Sequence, residues 1–311
     1  MACYQTSEVK LAEWRGGDCD NTAGEPGRAE TEIARFGAGG EFVLRMAVSG
    51  ADRLTCWKLV YDEYLAHGYT HDLPLPYRYT AHDALPDTGT FLVERDGEPV
   101  GTITVYPDSP LGLPAEEVFR TDVEPIREAG RSPVEIGRLT IAPAFAKDRQ
   151  VLMKTLEIPF LCARRVMGAT DVVITVNPKH QNFYNRMMLF ETLSGEKTYG
   201  SVCGAPAVLM RVDLGFQGRV IRWVHGEGAC PAGDLPRHTI YRSFWNEAEE
   251  RAVEERIRRI RQPLPAEFLR RYFVRERRLI PSLKSSLRYL FEACYRGYGL
   301  TGVGELVGVS T

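Results

Sequence analysis

The sequence predicts an α/β protein (α+β in its ordering): a mixed sheet flanked by helices, followed by a helical C-terminal extension. Three observations predict it. Strand and hairpin patterns come first, and strand, helix, strand, helix, strand, strand follows. The uninterrupted apolar run DVVITV at 171–176 is the pattern of a strand covered on both faces. Beyond Phe216 that alternation gives way to arginine-rich stretches of helical spacing.

The first 40 residues are rich in Gly, Glu, Asp and Arg and poor in large apolar groups, so a largely disordered leader is expected there. A folded domain is expected over 41–215. EFVLRMAVS reads as a strand and ADRLTCWKLVYDEYLAHG as a helix, with Leu54, Trp57, Tyr61 and Tyr64 or Leu65 on one face. Residues 69–89 hold three prolines and no clear period, which predicts an irregular, lid-like connection. TFLVER and PVGTITVYP flank Asp96-Gly97, the dipeptide of a tight hairpin. Short helices at 115–119 and 123–129 lead to the strand VEIGRLTIAP. A long helix follows from about Asp148 to Met167, bent at Pro159 because proline lacks a backbone donor. After DVVITV come a helix from Lys179, a strand near 190–199 and the strand PAVLMRVDL. The segment 216–240 reads as a Gly/Pro-rich connection, and 241–311 as a basic extension with helices near 244–261 and 265–295.

With 44% hydrophobic and 26% charged residues, the 311-residue chain has an ordinary globular composition, which excludes collagen-like and wholly disordered classes. No apolar run approaches the roughly 20 residues of a spanning helix, and no charged-then-apolar signal pattern opens the chain. A cytoplasmic location is the expectation. Seven scattered cysteines, none at CxxC spacing, predict reduced thiols and no metal site. The net charge of −2 gives no global attraction to nucleic acid. It conceals an asymmetry, because residues 251–296 carry thirteen Arg or Lys against five Glu, so that end is suited to an acidic partner.

In VEIGRLTI, strict alternation leaves neither face apolar. A bulge at Gly137 would reset the register, with Val134, Ile136, Leu139 and Ile141 on an apolar face and Glu135, Arg138 and Thr140 on a polar one. Such a bulge frees backbone N–H groups that can face a developing oxyanion. Glu135 and Arg138 then read either as a structural ion pair or as part of a site.

Taken in order, WKLVYDEYLAHGY, VYPDSPLGLPAEEVF, VEIGRLTIAP and VNPKHQNFYNRMMLFE resemble the N-acyl amino acid synthase family, a branch of the GNAT acyltransferase superfamily related to the acyl-homoserine-lactone synthases. The resemblance covers about residues 42–214 and not the leader or the basic tail. It implies a twisted, mostly antiparallel sheet whose two central parallel strands splay to admit an acyl thioester arm. It also implies transfer of a long fatty acyl group from an acyl carrier protein to the amine of an amino acid, with no permanently bound cofactor and acyl-phosphopantetheine as donor. PAFAKDRQVL lacks the Gly-rich turn with which acetyl-coenzyme A users cradle a pyrophosphate, whereas a carrier-borne phosphopantetheine has one phosphate, for which Lys147 and Arg149 are candidates.

Glu135 and Arg138 match the E-x-x-R element of the related synthases. An ammonium must lose a proton before it attacks a thioester, and Glu135 is the candidate base. Arg138 is a candidate to bind the acceptor carboxylate or to orient Glu135. Tyr184 matches the aromatic donor to the leaving thiolate, while Asn177 and His180 lie where DVVITV ends, the edge at which open sheets bind ligands. Asp62 in YDEY is a candidate acceptor contact. Against these stand turn chemistry for Asn177, helix-start satisfaction for His180, core packing for Tyr184 and solvated helix surface for Asp62, Lys147 and Arg149. The basic tail has three readings: docking the acidic carrier, lying on an anionic membrane, or packing on the sheet domain. A non-catalytic acyl-chain sensor and a homoserine-lactone synthase are the competing functions.

Overall fold

The computed structural model describes residues 27–233, 235, 239–260 and 263–296. Among them one mixed sheet carries strands β1 (Glu32–Phe36), β2 (Phe42–Met46), β3 (Gly89–Arg95), β4 (Glu98–Pro107), β5 (Pro133–Ile141), β6 (Asp171–Val176), β7 (Glu191–Thr192), β8 (Lys197–Tyr199) and β9 (Ala205–Asp213). Their spatial order is β1-β2-β3-β4-β5-β6-β9-β7, with β8 also against β9. Only β5 and β6 run parallel; every other pairing is antiparallel.

Alternation sorts the strand residues onto two cores. Val172 and Ile174 of β6 and Val208, Met210 and Val212 of β9 join the main core. Val173, Ala207 and Leu209 point the other way, against Phe119 and Val123. On the first face lies helix α3 (Arg149–Leu161), and on the second lie α1 (Gly50–Ala66) and α2 (Glu116–Glu128). DVVITV is thus covered on both sides, as its unbroken apolar run required. Asp96 and Gly97, both with positive φ, close the β3–β4 hairpin. Helix α3 passes into a wider π turn at Cys162–Val166, just beyond Pro159.

Three boundaries differ from expectation. β1 lies inside the segment expected to be a disordered leader, because Ile33 is fully buried while Glu32 and Arg35 pair on the solvent side, and β2 supplies the ladder. One buried apolar side chain in a charged segment gives no period to read. The expected connection from 216 begins as helix α5 (Leu214–Val224), capped by Asp213 and buried through Val220 and Ile221. The expected strand near 190–199 is two short ones, β7 and β8.

The C-terminal helices α6 (Glu247–Ile260), α7 (Ala266–Leu269, continuing as a π turn through Arg270–Glu276) and α8 (Ser285–Arg296) pack on the domain. Val253, Ile257 and Ile260 join the main core. Leu269, Tyr272, Phe273, Phe291 and Tyr295 enclose Trp57, Tyr79, Ala84 and Leu85 in a second core. Packing on the sheet domain therefore accounts for most of the large apolar residues described in the extension, Tyr289 being exposed. Many of its arginines are engaged locally, as in Arg251–Glu247, Arg258–Glu254 and Arg270–Glu267.

Candidate active site

β5 follows β4 along its whole length but pairs with β6 only at Pro133↔Asp171, Val134↔Val172 and Glu135↔Val173. Past Glu135 the two strands part, β6 continuing against β9 to Val176. The cause is local. Between Thr104↔Gly137 and Thr102↔Thr140, β5 carries one residue more than β4, and Arg138 stands at φ 57°. A bulge bends its strand and sharpens its twist, and a non-glycine residue in the left-handed region costs about 1 kcal/mol, which the surrounding contacts must offset. The extra residue expected at Gly137 is thus at Arg138, and it is the arginine that takes the positive φ. The register reset holds: Val134 and Ile136 are buried in the main core and Leu139 and Ile141 pack against it.

Glu135 sits at the crotch of this fork, 5% exposed. Its Oε2 accepts a hydrogen bond from the Ala115 backbone N–H at 2.6 Å, and its Oε1 accepts none among the described residues. Burial pushes its pKa up to about 8, against the downward pull of the Ala115 N–H and the Arg138 charge. A carboxyl with that pKa holds its proton at neutral pH, and a cation beside it would favour the carboxylate.

Arg138 does not pair with Glu135. Its Nη1 donates to Asp83 Oδ1 at 2.7 Å and its Nη2 to Thr80 Oγ1 at 3.4 Å, while the guanidinium lies over the Tyr106 ring, 5.5 Å from the centroid. The ion pair with Glu135 is corrected: Arg138 pairs with the fully buried Asp83 instead, through Nη1. Asp83 is itself fixed by accepting from the Thr80 N–H at 2.7 Å in a capping box that starts the single 3₁₀ turn Ala81–Ala84. Tyr106, across the ladder from Glu135, is 2% exposed and its hydroxyl has no hydrogen-bond partner among the described residues. The same is true of His82 Nε2, whose ring meets that of Tyr106 edge-on at 6.1 Å. Burial lowers the His82 pKa to about 4, so this imidazole is neutral.

The segment expected to be a lid is instead clamped by the C-terminal extension. Tyr79 Oη donates to Tyr272 O at 2.8 Å and Tyr295 Oη to Ala84 O at 2.6 Å. Arg277 donates to Leu75 O and Tyr77 O at 3.3 and 2.8 Å and lies over the Tyr79 ring. The extension thus holds the turn that holds Arg138.

The other wall is the carboxyl end of β6. Asn177 Oδ1 accepts from the Lys179 N–H at 3.1 Å, the turn-stabilising role weighed for it. His180 is exposed, its pKa lowered by partial burial and by Lys179, and its side chain does not cap the helix α4 (Gln181–Met188) that follows. Tyr184 packs edge-on against Phe183 and Phe190, and its phenol makes no hydrogen bond among the described residues; burial alone raises its pKa to about 12. Asp62 lies outside the cluster around Glu135, on the exposed face of α1 in an ion pair with Lys58. Lys147 and Arg149 are exposed at the start of α3, where Asp148 Oδ1 accepts from the N–H groups of Gln150 and Val151 at 2.8 and 3.1 Å. Asp83, Tyr106 and His82 were not among the expected site residues. Thr80-x-x-Asp83 carried the capping-box signal for the turn, but nothing local in the sequence joins it to Arg138.

A model of the family described as N-acyl amino acid synthase FeeM matches residues 55–213, just over half of the 311-residue chain. The chain belongs to this family. That places it among acyltransferases. The solved structure of FeeM, an N-acyl amino acid synthase from uncultured soil microbes, is 22% identical, covers 57% of this chain and 93% of its own, and superposes with a TM-score of 0.50. A coenzyme A-dependent acyl-homoserine lactone synthase, BjaI, is 16% identical over 63% of this chain and 95% of its own, with a TM-score of 0.44. No curated protein matches the chain. The family fold is GNAT-like, and its match stops short of the C-terminal extension that clamps residues 75–84 here.

Proposed function

We propose that this protein transfers a long-chain fatty acyl group from the thioester of an acyl carrier protein to the α-amine of an amino acid. The carrying observation is the fork that opens at Glu135: two parallel strands separate next to a buried carboxyl with one oxygen unengaged. A pantetheine arm laid between β5 and β6 finds backbone groups there that no strand pairs. Its carbonyl then lies beside Glu135. The positive ammonium lowers the Glu135 pKa so that the carboxyl releases its own proton to solvent; the resulting carboxylate takes a proton from the ammonium, and the amine nitrogen attacks the carbonyl carbon. Freed N–H groups at the bulge stabilise the oxyanion. Collapse breaks the C–S bond, and Tyr184 supplies a proton to the departing thiolate. Arg138, neutralised by Asp83, fixes the bulge and acts on Glu135 through its charge.

The carrier is favoured over coenzyme A by the start of α3. At the helix N-terminus the Asp148 carboxylate already takes the N–H groups of Gln150 and Val151, so a pyrophosphate would meet a negative charge in place of free donors. Lys147 and Arg149, exposed on either side, suit a single phosphate. The arginine-rich extension suits an acidic carrier by charge, and an anionic membrane surface is the alternative face for it. Among the described residues no helix is long and apolar enough to cross a membrane.

The test is mass spectrometry of the purified protein with a long-chain acyl carrier protein and the twenty amino acids, with acyl-coenzyme A in parallel. An N-acyl amino acid formed from the carrier alone supports the reading. Product from coenzyme A alone overturns the donor, and no product from either overturns the activity in favour of a sensor.

A further inference from the structure

Of the guanidinium groups on or against the clamped segment, one has a carboxylate partner among the described residues. Arg138 is neutralised by Asp83, and Arg277 is spent on two backbone carbonyls and the Tyr79 ring. Arg78 is different. It is half-buried on the same clamped segment and makes no ion pair among the described residues. Its backbone N–H is fixed to Trp57 O at 3.0 Å, its Nη2 donates to Ser201 O, and its guanidinium lies 5.5 Å from the Tyr64 ring centroid. Glu117, which meets the same loop, is engaged by the N–H and hydroxyl of Ser201.

Burial, with the like charges of Arg138 and Arg277, lowers the Arg78 pKa. A partly buried cation without a counter-charge among the described residues favours the approach of an anion. The loop that Arg78 holds also reaches the base: the Tyr199 phenol, two residues before Ser201, donates to Pro114 O at 3.0 Å, and the next residue, Ala115, donates its N–H to Glu135. The hydroxyl of Tyr106, across the ladder from Glu135, is a buried polar atom without a partner among the described residues, as expected where a small polar ligand or its water belongs.

We propose that Arg78 anchors the carboxylate of the acceptor amino acid, with Glu135 receiving the proton of the amine on the same molecule. Arg78 keeps donors beyond the one used on Ser201, so it presents a charge-assisted pair to the carboxylate. The clamp from Arg277, Tyr272 and Tyr295 is then what keeps the anchor in register with the base. This assignment rests on the reading of the acceptor as an amino acid.

The experiment compares the amino acid that the wild type acylates with the amine obtained by replacing its carboxylate with hydrogen, for wild type, Arg78→Gln and Arg78→Lys. The expected result is a KM for the amino acid about ten- to a hundredfold higher in Arg78→Gln, the loss of a charged hydrogen-bonded contact. Turnover of the amine should stay within about twofold, and Arg78→Lys should fall between, keeping charge without the fork. If Arg78→Gln keeps the wild-type preference for the amino acid over its amine, the anchor is elsewhere and the assignment is overturned. If Arg78→Gln loses both activities, Arg78→Lys decides: an unchanged preference there overturns the assignment, and a selective rise in KM for the amino acid upholds it. A wild type that acylates amines but no amino acid overturns the acceptor reading and this assignment with it, an outcome distinct from the first.

Discussion

Replacing Glu135 by Gln keeps the shape and the contact with the Ala115 N–H while removing the ability to accept a proton. General-base catalysis contributes typically about 10²–10⁴ in rate, or ~3–5 kcal/mol of barrier, so kcat for Glu135→Gln should fall by that factor. The wild-type kcat/KM should rise with pH through about 8, the pKa to which burial lifts this carboxyl, and the variant should lack that limb when both are measured with the same acceptor. Stability should respond in the opposite sense. The folded protein keeps the proton up to about 8 while the unfolded chain releases it near 4.5, so between these values the folded state binds more protons. Wild-type stability then falls as pH rises across this window, by at most about 5 kcal/mol, and is highest below it. Glu135→Gln removes this dependence and should gain on the wild type between pH 5 and 8. Stopped-flow or discontinuous thioester assays give the rates, and urea denaturation at the two pH values gives the stabilities. A variant retaining more than about a tenth of wild-type kcat, with the pH limb intact, would refute Glu135 as the base.

The remaining expectations concern the supporting parts. Asp83→Asn leaves the buried Arg138 without its counter-charge and should cost about 3–5 kcal/mol in urea denaturation, with activity lost in parallel as the bulge loosens. Tyr184→Phe should lower kcat at least about tenfold if the phenol protonates the thiolate, yet leave stability within ~0.5 kcal/mol, since that hydroxyl makes no hydrogen bond among the described residues. Asp148→Gly should cost the helix only a few tenths of a kcal/mol and free two N–H groups for phosphate, so acyl-coenzyme A turnover should rise while carrier-dependent turnover changes less than about twofold.

What the sequence made legible was whatever is decided locally. Asp96-Gly97 specifies its turn because both residues tolerate positive φ, and the failed alternation of VEIGRLTI betrays a bulge because only an added residue makes one face apolar. The family motifs then pointed to Glu135. What stayed hidden is long-range. Arg138 and Asp83 are 55 residues apart, and Tyr295 and Ala84 are 211 apart, so no spacing rule connects them. A charged strand residue and a turn carboxylate each look solvated until the fold buries them together. For the same reason the segment around Arg78 read as an irregular lid: its order is imposed by residues 272–295, which nothing nearby in the chain announces. The tail's basic count was real, but its meaning changed once Arg277 was found spent on the loop beneath it.

The most direct test of the central claim, that the thioester is held in the fork that opens at Glu135, is a crystal structure with a stable amide analogue of an acyl-pantetheine. The pantetheine arm should lie between β5 and β6, with the carbonyl carbon roughly 3–4 Å from a position that an amine hydrogen-bonded to Glu135 Oε1 could occupy. An arm bound away from the fork, or a β5–β6 ladder that stays closed beyond Glu135, would contradict it.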